Sequence, residues 1–294
     1  MKKILAIVLT AVMVLSLAAC GGSAAATEEA PAATEAAKEE AAPAAEAAEE
    51  APAEEAAPAE AQKFIMGIDA EYPPFSYIGD DGEYTGFDVE ICRAACEKLG
   101  WDFEVFGVNW DEKLIQLDAG ECDCVWSGMT ILDSMTEAGY VISEPYYDNT
   151  QVLLVKEDAG FASSEDLAGY VVAVQLGTSG EALLQEDLAD MAATFSDVVT
   201  CDSFLKCFTE LDGGAVDAVF VDAPVAKAYA AENEGFAIID EALGAEQYGI
   251  AFRSGDQAIC DAIQGAVDEL VADGTYAEIA DKYPDIVNNL LFLQ

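Results

Sequence analysis

Apolar positions fall into three regimes along the chain, and each predicts a different kind of structure. Ile4 to Ala19 are apolar apart from Thr10 and Ser16. Residues 23–62 consist almost entirely of Ala, Glu, Pro and Thr, with no aromatic or branched apolar side chain. From Lys63 onward, short apolar runs alternate with stretches of helical period. Phe64-Ile65-Met66-Gly67-Ile68 reads as a strand that ends at Asp69. Phe87, Ile91, Ala95 and Leu99 share one helix face, and Gly100 stops that helix. Helices are also expected at 111–119, near Gly180–Met191, at 257–273 and at 275–282. Strands are expected at Cys124–Trp126, Val152–Val155, Val171–Val174, Ala218–Val221 and Tyr248–Phe252. This alternation argues for an α/β fold with largely parallel sheets. Open sheets of that kind place ligands beyond the carboxyl ends of their strands. Asp69, Gly128, Gly177 and Asp222 all fall at such ends.

The first two regimes are not expected to join the folded body. Lys2 and Lys3 precede an apolar run too short for a relaxed membrane span, which is the build of a secretory signal. Leu17-Ala18-Ala19-Cys20, followed by Gly21-Gly22, resembles a bacterial lipoprotein signal. That resemblance implies cleavage after residue 19 and a diacylglycerol on the Cys20 sulfur. Each buried methylene contributes about 0.8 kcal/mol, so several acyl chains anchor stably where one does not. Residues 20–62 are then a disordered stalk: prolines at 31, 43, 52 and 58 interrupt helices, and nothing is available to bury. A flexible chain of that length reaches roughly 35 Å. The expected location is extracytoplasmic, on the outer face of a bacterial cell membrane.

Charge and composition narrow the chemistry. The chain carries 57 Asp and Glu against 12 Lys and Arg, so nucleic acid is an unsuitable partner. Histidine is absent, which removes every imidazole-based nucleophile and metal site. Seven cysteines follow Cys20, at 92, 96, 122, 124, 201, 207 and 260. Disulfides Cys92–Cys96 or Cys201–Cys207 fit the spacing, a four-thiolate metal site fits it poorly, and small buried thiols fit it best.

Seven segments run in an order that resembles the polar amino-acid family of solute-binding proteins for ABC importers. They are Asp69-Ala70-Glu71-Tyr72-Pro73-Pro74-Phe75, Gly86-Phe87-Asp88, Gly128-Met129-Thr130, Ser143-Glu144-Pro145-Tyr146-Tyr147, Asp166-Leu167-Ala168-Gly169, Val174-Gln175-Leu176-Gly177-Thr178 and Val216-Asp217-Ala218-Val219. The resemblance implies a two-lobed Venus-flytrap of the type II periplasmic-binding kind. Residues 63–150 and 249–294 form one lobe and 151–248 the other, with crossover strands near Asp148–Leu153 and Glu246–Ile250. It implies a monomer that closes on its ligand and docks on an ABC permease, with no cofactor, metal or catalytic residue. Asp222 matches the position that pairs with a ligand ammonium, since a buried cation needs an acid. Tyr72 and Trp110 match the covering aromatics. Gly128 and Thr130 match positions that present a carbonyl, an amide and a hydroxyl. Asp69 and Gln175 match positions that read the ligand side chain. Thr178 and Ser179 open a helix whose free amides suit a carboxylate, although Thr178 and Glu181 also read as plain helix capping.

One departure stands out. The family's arginine, which forks onto the ligand carboxylate, is replaced by Met135. Either backbone amides and hydroxyls hold the carboxylate, or the ligand lacks one, and a cationic or amine-bearing ligand gains ground. Two rivals stay open. A dehydratase on the same fold would use Glu71 or Asp69 as its acid or base. A ligand sensor would hand its state to a separate membrane protein, because Leu290-Leu291-Phe292-Leu293 is too short for a span.

Overall fold

The computed structural model describes residues 61–294, and the signal, the lipidation and all but the last two residues of the expected stalk lie outside them. The first lobe begins with strand β1 (Lys63–Ile68), β2 (Glu71–Tyr72), β3 (Ser76–Ile78) and β4 (Tyr84–Thr85). Helix α1 (Phe87–Leu99), β5 (Asp102–Gly107), α2 (Lys113–Asp118), β6 (Cys124–Thr130), α3 (Asp133–Glu137) and β7 (Val141–Ile142) follow. The chain crosses on β8 (Tyr147–Lys156) and builds the second lobe from β9 (Val171–Gln175), α4 (Ser179–Gln185), α5 (Ala189–Ala192) and β10 (Asp197–Cys201). That lobe continues through α6 (Phe204–Gly213), β11 (Ala218–Asp222), α7 (Ala223–Glu232) and β12 (Phe236–Ile239). Strand β13 (Ala245–Phe252) returns the chain to the first lobe, which α8 (Gln257–Asp273) and α9 (Thr275–Ala280) complete.

The main sheet runs β10-β9-β11-β8-β13-β6-β1-β5. Its outer pairs are parallel (β1 with β5 and β6, β9 with β10 and β11), and the central strands are antiparallel. Strands β8 and β13 each belong to both lobes. Tyr147–Thr150 pair with Ala245–Tyr248, while Gln151–Val155 pair with β11 and Tyr248–Phe252 with β6. Two adjacent strands that change partners midway make a hinge, because a small twist in each turns one lobe on the other. They lie where the family resemblance puts the crossovers.

Helix α1 shows how the sequence sets such elements. Gly86 takes φ 118°, and a Cβ there would stand 2.3 Å from the Phe75 carbonyl oxygen, so only glycine starts the helix at this point. Phe87, Ile91, Cys92, Ala95 and Cys96 then form its buried face. All seven cysteines of the described region are buried and free, so neither Cys92–Cys96 nor Cys201–Cys207 is a disulfide here. Burial pushes the Cys122 and Cys260 thiols up to about 11, which makes them packing groups rather than nucleophiles.

Two expected helices differ in detail. The helix near Gly180–Met191 is two pieces, α4 and α5, broken at Glu186. A single helix would stack Glu186 and Asp187 against Asp190 at i,i+4 and i,i+3, and like charges at that spacing repel. The 111–119 helix opens with a tight 3-10 turn over Trp110–Glu112, closed by the Glu112 amide on the Asn109 carbonyl (2.9 Å). Strand β6 runs beyond Trp126 to Thr130.

Candidate functional site

Strand β11 delivers Asp222 to the hinge. Its side chain is 4 % exposed and makes no cap bond to α7, although it sits at the N-cap. Instead Oδ1 accepts hydrogen bonds from Asn149 Nδ2 (2.6 Å), Gln151 Nε2 (2.8 Å) and the Tyr248 hydroxyl (2.8 Å). Asn149 and Gln151 project from one face of β8, as the period of a strand requires. The same two amides also donate to Glu246 Oε1, at 2.6 and 2.9 Å. Two carboxylates thus share two neutral donors, and among the described residues no Lys or Arg forms an ion pair with either. Burial, then the adjacent Glu246 carboxylate, pushes Asp222 up to about 8.

Beside Asp222 lies a cavity of about 140 Å³, room for a handful of water-sized groups. Tyr72, Trp110, Gly128, Thr130, Thr178, Ser179 and Asp222 all line it. Sequence positions scattered over both lobes therefore meet at one place. The Tyr72 hydroxyl bonds that of Tyr248 at 2.7 Å. Gly128 has φ 54°, and a Cβ on it would lie 2.3 Å from Tyr72 Cε1, so the ring fits only over glycine. The Gly128 amide is not offered to the cavity, contrary to expectation. It donates to Asp88 Oδ2 (2.8 Å) and to the Tyr146 hydroxyl (3.2 Å). Asp88, pushed up to about 7 by burial, anchors the end of β6 from below.

Several contacts bridge the lobes. The Thr130 hydroxyl donates to Ser179 Oγ at 3.1 Å, and Gln175 Nε2 donates to Asp69 Oδ2 at 2.7 Å. Gly177, with φ 73°, lies so close to the first lobe that a Cβ would stand 2.6 Å from Asp111 Cα. Thr178 caps α4 by accepting from the Glu181 amide (3.2 Å), but the Glu181 carboxylate turns to the Gly177 amide (2.8 Å). The capping reading of Thr178 is therefore correct for its hydroxyl.

Asp69 and Gln175 do not line the cavity beside Asp222. They are joined by that one hydrogen bond, which leaves the buried Gln175 Oε1 without a partner, and they border an adjoining space of about 370 Å³, with Trp110 lining both. The Asp69 carboxylate also accepts from the Glu71 amide at 2.9 Å, and its own amide donates to Ser127 Oγ at 3.0 Å. Burial raises Asp69 above the ordinary carboxylate range.

Sequence reasoning missed five residues here: Lys113, Asn149, Gln151, Glu246 and Tyr248. Asn149 and Gln151 were visible as polar residues at alternate positions of a strand that otherwise reads as core. Lys113 was visible as the residue one turn beyond Trp110. Met135 is buried and lines the cavity, so the position of the family arginine faces the site with an apolar side chain.

Residues 64–285 match the model of the bacterial extracellular solute-binding proteins, family 3. The chain belongs to that family. Its relatives include the L-cystine-binding protein TcyJ of Escherichia coli, 32 % identical over 227 residues that cover 76 % of this chain and 83 % of TcyJ. An ancestral arginine-binding protein solved with arginine is 34 % identical, with a TM-score of 0.69 over 75 % of this chain and 97 % of its own. A substrate-binding protein of an ABC uptake transporter from Streptococcus pneumoniae, solved with histidine, is 25 % identical, with a TM-score of 0.71 over 75 % and 91 %. Family 3 proteins bind solutes rather than transform them, so the dehydratase reading is set aside. In this family 3 member no helix of the described region is long and apolar enough to cross a membrane.

Proposed function

We propose that the protein captures an amino acid, or a close amine-bearing relative, by closing its lobes on it and delivers it to an ABC importer while tethered through a lipid on Cys20. The observation that carries this reading is Asp222, a buried acid on the wall of a cavity, fed by three neutral donors and, among the described residues, in no ion pair with a Lys or Arg. Such a group has a strong preference for an ammonium of fitting size. Tyr72 and Trp110 supply apolar and cation–π contact to the rest of the ligand. Thr130 and Ser179 stand on opposite lobes, so a ligand touching both favours the closed form, which a permease can recognise by shape. Cystine, arginine and histidine, for which relatives are named, all carry an α-amino group.

Calorimetry of the purified protein against amino acids and polyamines tests this. Binding of at least one amine-bearing compound is expected, with a loss of roughly 100-fold or more in Asp222→Asn. A panel with no binder, or an Asp222→Asn protein that folds and binds as the wild type does, refutes the reading.

A further inference from the structure

The cavity also holds an ammonium of its own. Lys113 opens α2 three residues after Trp110, one turn on, so both side chains leave the same face. Its Nζ lies 4.8 Å from the centre of the Trp110 ring and donates to the Trp110 carbonyl (3.1 Å) and to the Gly177 carbonyl of the other lobe (2.7 Å). Every one of these partners is neutral. Among the described residues Lys113 is the one cationic side chain on the cavity wall, and it makes no ion pair. Asp111, Asp69 and Glu181 act on it from further away, yet burial prevails and pushes it down to about 8. Two of its three N–H donors are engaged by carbonyls, and the third is free for an occupant of the cavity.

The two poles are complementary. Asp222 is a desolvated acid and Lys113 a desolvated amine, on the wall of the same cavity, and neither forms an ion pair with another side chain of the described residues. Met129, Leu132 and Met135 make the adjoining wall apolar. A zwitterion laid across such a space answers both charges at once. A plain amine answers only Asp222 and leaves Lys113 desolvated without a counter-charge. Building on the amine-binding reading above, we propose that Lys113 reads the carboxylate of the bound amino acid, moving to the α2 turn the positive charge that Met135 does not supply. Because Lys113 also holds the Gly177 carbonyl, carboxylate recognition and lobe closure involve one side chain.

The test uses matched pairs that differ by loss of the carboxylate: L-arginine and agmatine, L-histidine and histamine, L-cystine and cystamine. Wild type, Lys113→Met and Lys113→Arg are titrated with each compound, and circular dichroism and thermal melting check the fold. Wild type is expected to prefer the amino acid of whichever pair it binds. Lys113→Met should weaken the amino acid by roughly 100-fold and the amine by no more than about threefold, while Lys113→Arg keeps the preference. Lys113→Gln takes the place of Lys113→Met if the methionine variant does not fold. Equal weakening of amino acid and amine would make Lys113 a closing contact only and overturn the proposal. Unchanged selectivity in Lys113→Met overturns it too. A wild type that binds the amines without preferring the amino acids defeats this inference alone. A wild type that binds neither class defeats the amine-binding reading with it.

Discussion

In the proposed capture Asp222 and Lys113 carry the residue-scale chemistry, and both are held away from their ordinary proton affinities. Asp222 must be an anion to hold an ammonium, yet burial beside Glu246 raises it to about 8. Tyr72 and Tyr248 face the same carboxylate and are themselves pushed up, so they remain hydroxyl donors. Below about pH 8, capture therefore expels a proton from Asp222, and affinity falls by up to about tenfold for each unit of acidification. Above about pH 8 the unliganded Lys113 loses its proton and must regain it to meet a carboxylate, so affinity falls again. An affinity maximum near pH 8 is expected, with net proton release near neutrality. Titrations in buffers of different ionisation enthalpy measure this, and a flat profile between about pH 6 and 8 contradicts it. For folding the sign is opposite to that of an ordinary salt-bridged aspartate. A raised carboxyl favours the fold below its ordinary range, and that contribution is lost as pH climbs towards about 8. Asp222 was legible in the sequence because it ends an apolar strand. Glu246 was not, because its effect comes from pairing across the hinge with residues far away in the chain.

At the scale of elements, the turn between β9 and α4 packs directly against the opposite lobe. Gly177 combines a left-handed backbone with an approach that leaves no room for a Cβ against Asp111. Gly177→Ala costs about 1 kcal/mol of backbone strain in either form, and the clash is added only when the lobes meet. Ligand affinity is expected to fall by tenfold or more, with less ligand-induced compaction in small-angle scattering. An alanine variant that compacts and binds like wild type would show that the approach does not limit closure. Most elements were readable because apolar period and glycine stops coincide, as in α1. The α4–α5 break was not, because the apolar period carried the expected helix through acidic residues whose repulsion breaks it.

The whole molecule joins two lobes through β8 and β13, and a structure so joined can turn the burial of a small ligand into a change of shape. The proposed export and lipid tether rest on the first 62 residues. Cys20→Ala is expected to move the protein from the membrane fraction into the soluble extracytoplasmic fraction without altering ligand affinity. Mass spectrometry of the amino-terminal peptide should find a diacylglyceryl mass on wild type alone. A wild-type peptide that lacks the lipid, or a Cys20→Ala protein that stays membrane-bound, removes the anchor from the account.

Apolar period and strand-end residues determined the α/β class, because each depends on neighbours close in sequence, while the order of the family-like motifs implied the two lobes, the crossover strands and half of the residues that line the cavity. Only the tertiary structure decided how charge is distributed in the site. The shared amides of Asp222 and Glu246, the pairing of Asp69 with Gln175 across the lobes and the meeting of Lys113 and an apolar Met135 on one cavity wall arise from contacts between distant segments. Burial and proximity set the proton affinity of a carboxylate or an ammonium, and both exist only once the chain has folded.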